Sequence, residues 1–273
     1  LKDKFSIRAA ADLWVEVQTA IKNTAQGKAE EALSNQQRKE EATDGGFGRI
    51  DALGAGGNAL YRRLGNQNLR ALNAPVKALP LWNATDYDWV QTNGSIRSPL
   101  HRNVIESLAV NASLVFPGDF TASSRLQNMY ELEELMGKFE IPVWPEAVFG
   151  KLDPEKVKRG EVQFQNNCAS CHAPKRESHP LPSDPVAVKH NKTYLVVSLH
   201  HVDEVGTDPT DARNFARRTL DASKIGMAKD TPGAAVIQIV LDGIVKKGLE
   251  TAQVTGDDAD RMMGYRADLL RAC

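Results

Sequence analysis

The sequence predicts an all-α protein. Three observations carry that expectation. Apolar residues recur at helical spacing in several separate stretches, a capping residue followed by proline occurs twice, and no stretch alternates apolar and polar residues convincingly over six or more positions. Ala, Glu, Lys, Arg and Leu recur throughout while aromatics make up only 6% of the chain, a composition that favours helix over sheet.

The elements follow in order. Ile7, Ala10, Trp14, Val17 and Ile21 form one stripe of an amphipathic helix. Gly27 to Glu41 is polar and reads as a solvated helix continuation or loop. The glycines between Gly45 and Gly57 precede Asn58-Ala59-Leu60-Tyr61, a short helical start. Neither a preceding strand nor a following Gly-Lys-Ser/Thr is present, so they read as tight turns and close chain packing rather than a phosphate loop. Pro75 to Pro99 is irregular and holds Trp82 and Trp89. Helical patterns resume at Arg102–Ala112 and at Ser123–Phe139, where Leu126, Met129, Leu132, Met136 and Phe139 lie in register. Pro142 and Pro145 mark a junction, dividing an irregular, mostly helical domain at 1–148 from a second domain at 149–273. Asp153-Pro154-Glu155 then opens a helix on which Val157, Gly160/Glu161, Phe164 and Cys168 share a face. Thr231-Pro232 repeats the signal before Val236, Ile239/Val240 and Ile244, and Lys246-Lys247-Gly248 closes that helix.

Composition narrows the function classes. A net charge of −1 gives no global field for nucleic acid or an anionic membrane. The longest apolar stretch, Ala234 to Val245, is broken by Gln238 and Asp242 and is too short to span a bilayer. Of three cysteines, two share one motif and Cys273 is the last residue, so a disulfide framework is excluded.

The motif that carries chemistry is Cys168-Ala169-Ser170-Cys171-His172. In CxxCH each thiol can add to a haem vinyl group, the spacing of about one helical turn spanning the porphyrin edge. The adjacent His172 is then carried to the iron as an axial ligand. Zinc would want two further soft ligands, with His179, His190, His200 and His201 as the available histidines, and a redox dithiol would want a βαβ context that is missing. Haem c is the reading, and covalent haem implies a periplasmic or secreted bacterial setting. For the sixth iron position the candidates are His200, His201, His190, Met227, Met262 and Met263; the pair His200-His201 stands before a turn at Asp203 to Pro209. His101, between Leu100 and Arg102, reads as a polar residue at a helix N-terminus, and Trp82 and Trp89 as core anchors or as an electron relay.

Several runs extend the motif: Gly46-Phe47-Gly48-Arg49-Ile50-Asp51-Ala52, Trp82…Asp86-Tyr87-Asp88-Trp89-Val90-Gln91-Thr92-Asn93-Gly94-Ser95, Pro99-Leu100-His101-Arg102-Asn103-Val104, Arg159-Gly160…Phe164…Cys168–His172, and Val205-Gly206-Thr207-Asp208-Pro209. Together they resemble the di-haem cytochrome c peroxidase superfamily, closest to its rubber oxygenase A-like branch, from about Phe47 onward. The resemblance implies two cytochrome c-like domains, one haem meeting peroxide or oxygen and the other passing electrons, with tryptophan near the path between them. Cys168, Cys171 and His172 would hold the second haem, making 149–273 a cytochrome c-like domain truncated at its C-terminus and 1–148 the remainder of the first. The first attachment motif would lie upstream of Leu1. Calcium between the domains is common in the superfamily. The chain departs from the pattern in stopping at Cys273, short of a histidine-bearing segment, and in carrying His101 and His200-His201. It reads as a central fragment of a longer protein or as a trimmed single-haem descendant. The expected function is a periplasmic redox protein moving electrons through covalent haem, a haem-dependent oxidoreductase of peroxidase or dioxygenase type, with a redox protein or small oxidant as partner. The alternative is a non-catalytic electron-transfer subunit of a larger assembly.

Overall fold

The computed structural model describes residue 18, residues 42–173, 175–177 and 193–263. The expected helix from Ile7 to Ile21, the polar run from Gly27 to Glu41, His179, His190 and Cys273 lie outside the described residues, as does the side chain of Met263. The described chain is mostly helical, and its strands are two or three residues long.

Asp51 opens the first helix, α1 (Ala52–Tyr61), by accepting a hydrogen bond from the Gly54 N–H at 2.7 Å. The glycines expected in turns therefore lie partly inside a helix that starts six residues earlier than Asn58. Gly56 faces the next helix, where a Cβ would make ordinary contacts with Ile105 and Ala109 at 3.5 and 3.6 Å. That helix, α2 (Pro99–Ala109), starts at Ser98, whose hydroxyl accepts from the His101 N–H, with Pro99 in the first turn. The third helix, α3 (Leu126–Met136), is shorter than the pattern predicts, and its buried face is different. Leu126 is buried and Met129 packs against the core, whereas Leu132 and Phe139 are exposed and Glu133 is buried instead. The cause is an ion pair: Arg102 and Asn103 of α2 both donate to Glu133 Oε1, the latter at 2.5 Å.

A short helix α4 (Glu146–Phe149) leads to α5 (Pro154–Asn167) and the one-turn helix α6 (Ala169–His172). Further along lie α7 (Val202–Val205), α8 (Thr210–Arg217), α9 (Gly233–Ala252) and α10 (Gly256–Met263). Three antiparallel strand pairs join segments: β1 (Arg49–Ile50) with β2 (Val76–Lys77), β3 (Lys175–Glu177) with β4 (Tyr194–Val196), and β5 (Thr219–Leu220) with β6 (Thr231–Pro232).

The 20-residue α9 is the spine of the core, and it corrects two expectations. Thr231 does not cap it; its hydroxyl donates to the Ala228 carbonyl while its backbone pairs in β6. Gly248 does not end it either. The helix runs on to Ala252 and stops at Gln253 in the left-handed region (φ 55°), and glycine stands at 248 because any side chain there would collide with Leu126 of α3. Leu60, Leu64, Val104, Leu108, Val236, Val240 and Val245 lose all contact with solvent. This core takes side chains from both sides of residue 148, where the prolines suggest a junction.

His101 lies in the first turn of α2, the helix start that the sequence suggests, and is buried in that core at 3% exposure. Its Nε2 lies 3.6 Å from Asp242 Oδ1 of α9, and neither ring nitrogen has a hydrogen-bond partner. Burial lowers the imidazole pKa from its usual 6.5, and Asp242 offsets this only in part. The unfolded chain therefore takes up a proton before the folded one does. Stability attributable to His101 is full above about pH 6.5 and falls as the pH drops below that value toward the lowered folded pKa. Urea unfolding between pH 7.5 and 5 is expected to show a stability slope that is flatter in His101→Phe; equal slopes would refute the assignment.

Candidate functional site: the CxxCH turn and its hairpin

The site is built at the end of α5. Asp153 accepts hydrogen bonds from the Glu155 and Lys156 N–H groups at 2.9 and 3.2 Å, and Pro154 occupies the first turn, as the sequence predicts. The helix ends at Cys168, whose N–H still donates to the Phe164 carbonyl (2.8 Å). Cys168 (φ −126°, ψ −31°) breaks the helix and immediately starts another turn. The Cys171 and His172 N–H groups both donate to the Cys168 carbonyl, at 3.1 and 2.8 Å. Cys168 and Cys171 thus sit three residues apart across one turn, both as free thiols, with His172 following and exposed.

Every residue of α5 is exposed. Val157 and Phe164, seven residues apart on the face that ends in Cys168, are 50% and 40% exposed. Phe164 is therefore no core aromatic in this structure. Gly160 is likewise not a point of close helix contact, since nothing lies within 4 Å of where its Cβ would be. Phe139, Ile141, Val143, Trp144, Val148, Phe149 and Leu152, just before α5, are exposed as well.

A backbone ladder ties this turn to two other sequence-selected segments. Lys175, three residues after His172, opens β3 and pairs with Val196 at the far end of β4. Because the pair is antiparallel, His172 and His200 lead into and out of the same end of the hairpin. On its other side β4 bonds to the tryptophan-bearing loop: Asp88 N–H donates to the Leu195 carbonyl (3.2 Å), Leu195 N–H to the Asp86 carbonyl (2.8 Å), and Val197 N–H to Asp88 Oδ1 (2.9 Å). The next residue, Trp89, is buried with the Arg97 guanidinium 4.2 Å from its ring centroid. Trp82 is 40% exposed.

The candidate sixth ligands separate by their surroundings. His201 caps α7, its Nδ1 accepting from the Asp203 N–H at 3.3 Å. His200 is half-buried, and its Nε2 is buried with no hydrogen-bond partner. Met227 packs against the hydrophobic core, and Met262 lies within it. Among the described residues no three His, Cys, Asp or Glu side chains converge as a metal-holding group, and this includes carboxylates that a calcium ion would need. What sequence reasoning passed over is the difference between adjacent histidines: nothing in the pair His200-His201 says which one turns inward.

The chain is 28% identical over 255 residues to the uncharacterized protein y4iJ of Sinorhizobium fredii (strain NBRC 101917 / NGR234). The match covers 85% of this chain and 43% of that protein, so the chain spans less than half the length of its relative. No family model and no solved structure matches it. Among the described residues no helix is long and apolar enough to cross a membrane.

Proposed function

We propose that this chain is part of a c-type cytochrome, a redox protein of the di-haem peroxidase/oxygenase type that holds a haem at Cys168, Cys171 and His172. The observation that carries the reading is the geometry of one helical turn: two free thiols at positions i and i+3, with a histidine next, at the end of a helix whose apolar stripe is exposed. The donor set fits the group. Two thiols suit the two thioether bonds, an imidazole suits the iron, and the stripe of Val157 and Phe164 suits a flat apolar macrocycle. Bound there, the haem would supply one-electron chemistry, and an open iron position would add peroxide or oxygen chemistry.

The chain's own residues set the rest. His172 would supply one nitrogen to the haem iron, and the buried Nε2 of His200, without a hydrogen-bond partner, supports that residue as a second donor. The β3–β4 hairpin holds both histidines at one end and fastens that end to the Trp89 loop. Trp89 is buried next to Asp88, which bonds to β4, whereas Trp82 is exposed, and this supports Trp89 above Trp82 as the relay between this haem and a redox partner. A haem attached through thioethers is matured outside the cytoplasm, so the proposed setting is periplasmic or secreted. A second haem belongs to the same reading.

An absorption spectrum of the chain expressed with a cytochrome c maturation system, oxidised and dithionite-reduced, tests this. Sharp reduced α and β bands with covalent haem are expected, and no haem band overturns the reading. Carbon monoxide then sorts the two forms of it. Binding of the gas favours peroxidase or oxygenase chemistry, and indifference to it favours a six-coordinate electron carrier.

A further inference from the structure

A concave site with no residue of the CxxCH turn in its lining is formed where α1, α8 and the segment around Arg70–Ala74 meet. It is a cavity of about 380 Å³, within the range of small-molecule pockets. Its walls include the apolar side chains of Leu53, Phe215 and Ile237. Its charges are unbalanced, with four guanidiniums, of Arg70, Arg213, Arg217 and Arg218, facing two carboxylates, of Asp51 and Asp211.

Local bonding sorts those charges. Asp51 is committed to the fold: Oδ1 accepts from the Gly54 N–H and Oδ2 from the Ala74 N–H, at 2.7 and 3.0 Å. Arg213 points outward to Asp203, 2.8 Å away. Arg218 is fixed in place, its guanidinium 4.4 Å from the Tyr61 ring centroid and its Nη2 donating to Asn58 Oδ1 and the Asn68 carbonyl. Gly57 leaves room for it, since a Cβ there would stand 3.1 Å from Arg218 Nη1. Arg70 and Arg217 are exposed; Arg70 Nη1 donates to the Gln67 and Leu69 carbonyls at 3.3 and 3.1 Å, which leaves its other nitrogen, Nη2, for a ligand.

We propose that this cavity binds a small organic carboxylate with an apolar body, the carboxylate held by Arg218, Arg217 and Arg70 and the body against Leu53, Phe215 and Ile237. Arginine suits the role because its planar fork donates two parallel hydrogen bonds to a carboxylate. Asp211 tunes the site. Burial pushes its carboxyl up to about 6 despite the hydrogen bond donated by Thr92. Above that pH its charge opposes a bound anion, and below it the opposition disappears. The proposal is independent of haem, and neither reading falls with the other.

The test is calorimetric titration of the purified full chain with 2-naphthoate and, separately, with its neutral amide 2-naphthamide. Naphthoate is expected to bind at least about ten-fold more tightly than the amide, the value of one charge-assisted hydrogen bond. The double substitution Arg70→Gln/Arg217→Gln, on exposed side chains, is expected to weaken naphthoate about ten-fold and leave the amide unchanged. Asp211→Asn is expected to tighten naphthoate at pH 7.5 and to abolish the gain otherwise seen as the pH falls through about 6. Equal binding of acid and amide, no binding of the acid at millimolar concentration, or unchanged affinity in the double variant would each overturn it.

Discussion

Replacing Cys168 and Cys171 together by alanine is expected to leave no haem on the chain after denaturing electrophoresis, where the parent chain stains. Both thiols are unpaired and accessible on one helical turn, and no other cysteine lies among the described residues. Loss of the thioethers removes the only covalent hold that the motif provides. His172→Ala separates attachment from ligation. Its thiols still react, so the stain is expected to remain while the low-spin absorption signature of the proposed coordination is lost. A double-alanine variant that stains like the parent would refute the attachment site, and an unchanged spectrum in His172→Ala would refute the ligand.

The largest expected loss of stability lies elsewhere, at Glu133. Its side chain is 9% exposed and that of its partner Arg102 13%, and Asn103 donates to the same oxygen. Truncating the acid in Glu133→Ala leaves a largely buried guanidinium and a partly buried amide without their acceptor, a change that costs about 3 kcal/mol. Urea unfolding measures it. Replacing both partners, Arg102→Met with Glu133→Leu, is expected to recover most of the loss, since the pair's attraction is largely offset by the desolvation of its charges. A loss below about 1 kcal/mol in Glu133→Ala would place the pair among exposed bridges that contribute little.

These two sites also show where sequence reading succeeds and where it stops. CxxCH and the Asp153-Pro154 helix start are local, since their chemistry and hydrogen bonds are complete within a few residues. Glu133 is not local. Helical spacing assigned the inner face of α3 to Leu132 and Met136, and a polar partner on α2 turned the helix instead. His101 carried a readable signal, lying three, four and seven residues before Val104, Ile105 and Leu108, the buried stripe of α2, but its polarity argued for solvent. Gly248 reads as a helix stop until Leu126, more than a hundred residues away, is seen to fill the space of its side chain. The cavity of Arg218 and Asp211 draws on α1 and α8, which are about 150 residues apart, and no spacing rule reports such a meeting.

The core that spans both sides of the CxxCH turn has a consequence for the order of events in biosynthesis. A chain emerges N-terminus first, so α1 and α2 are released long before α9, the helix that covers them. Cys168 to His172 emerge in between, some sixty residues ahead of Gly233. Contacts this distant in sequence close slowly, because the intervening loop must be ordered first. Were haem attached as proposed, a maturation enzyme would meet the thiols while the hydrophobic centre is still open, in a time window set by chain length rather than by any local unfolding of the finished protein.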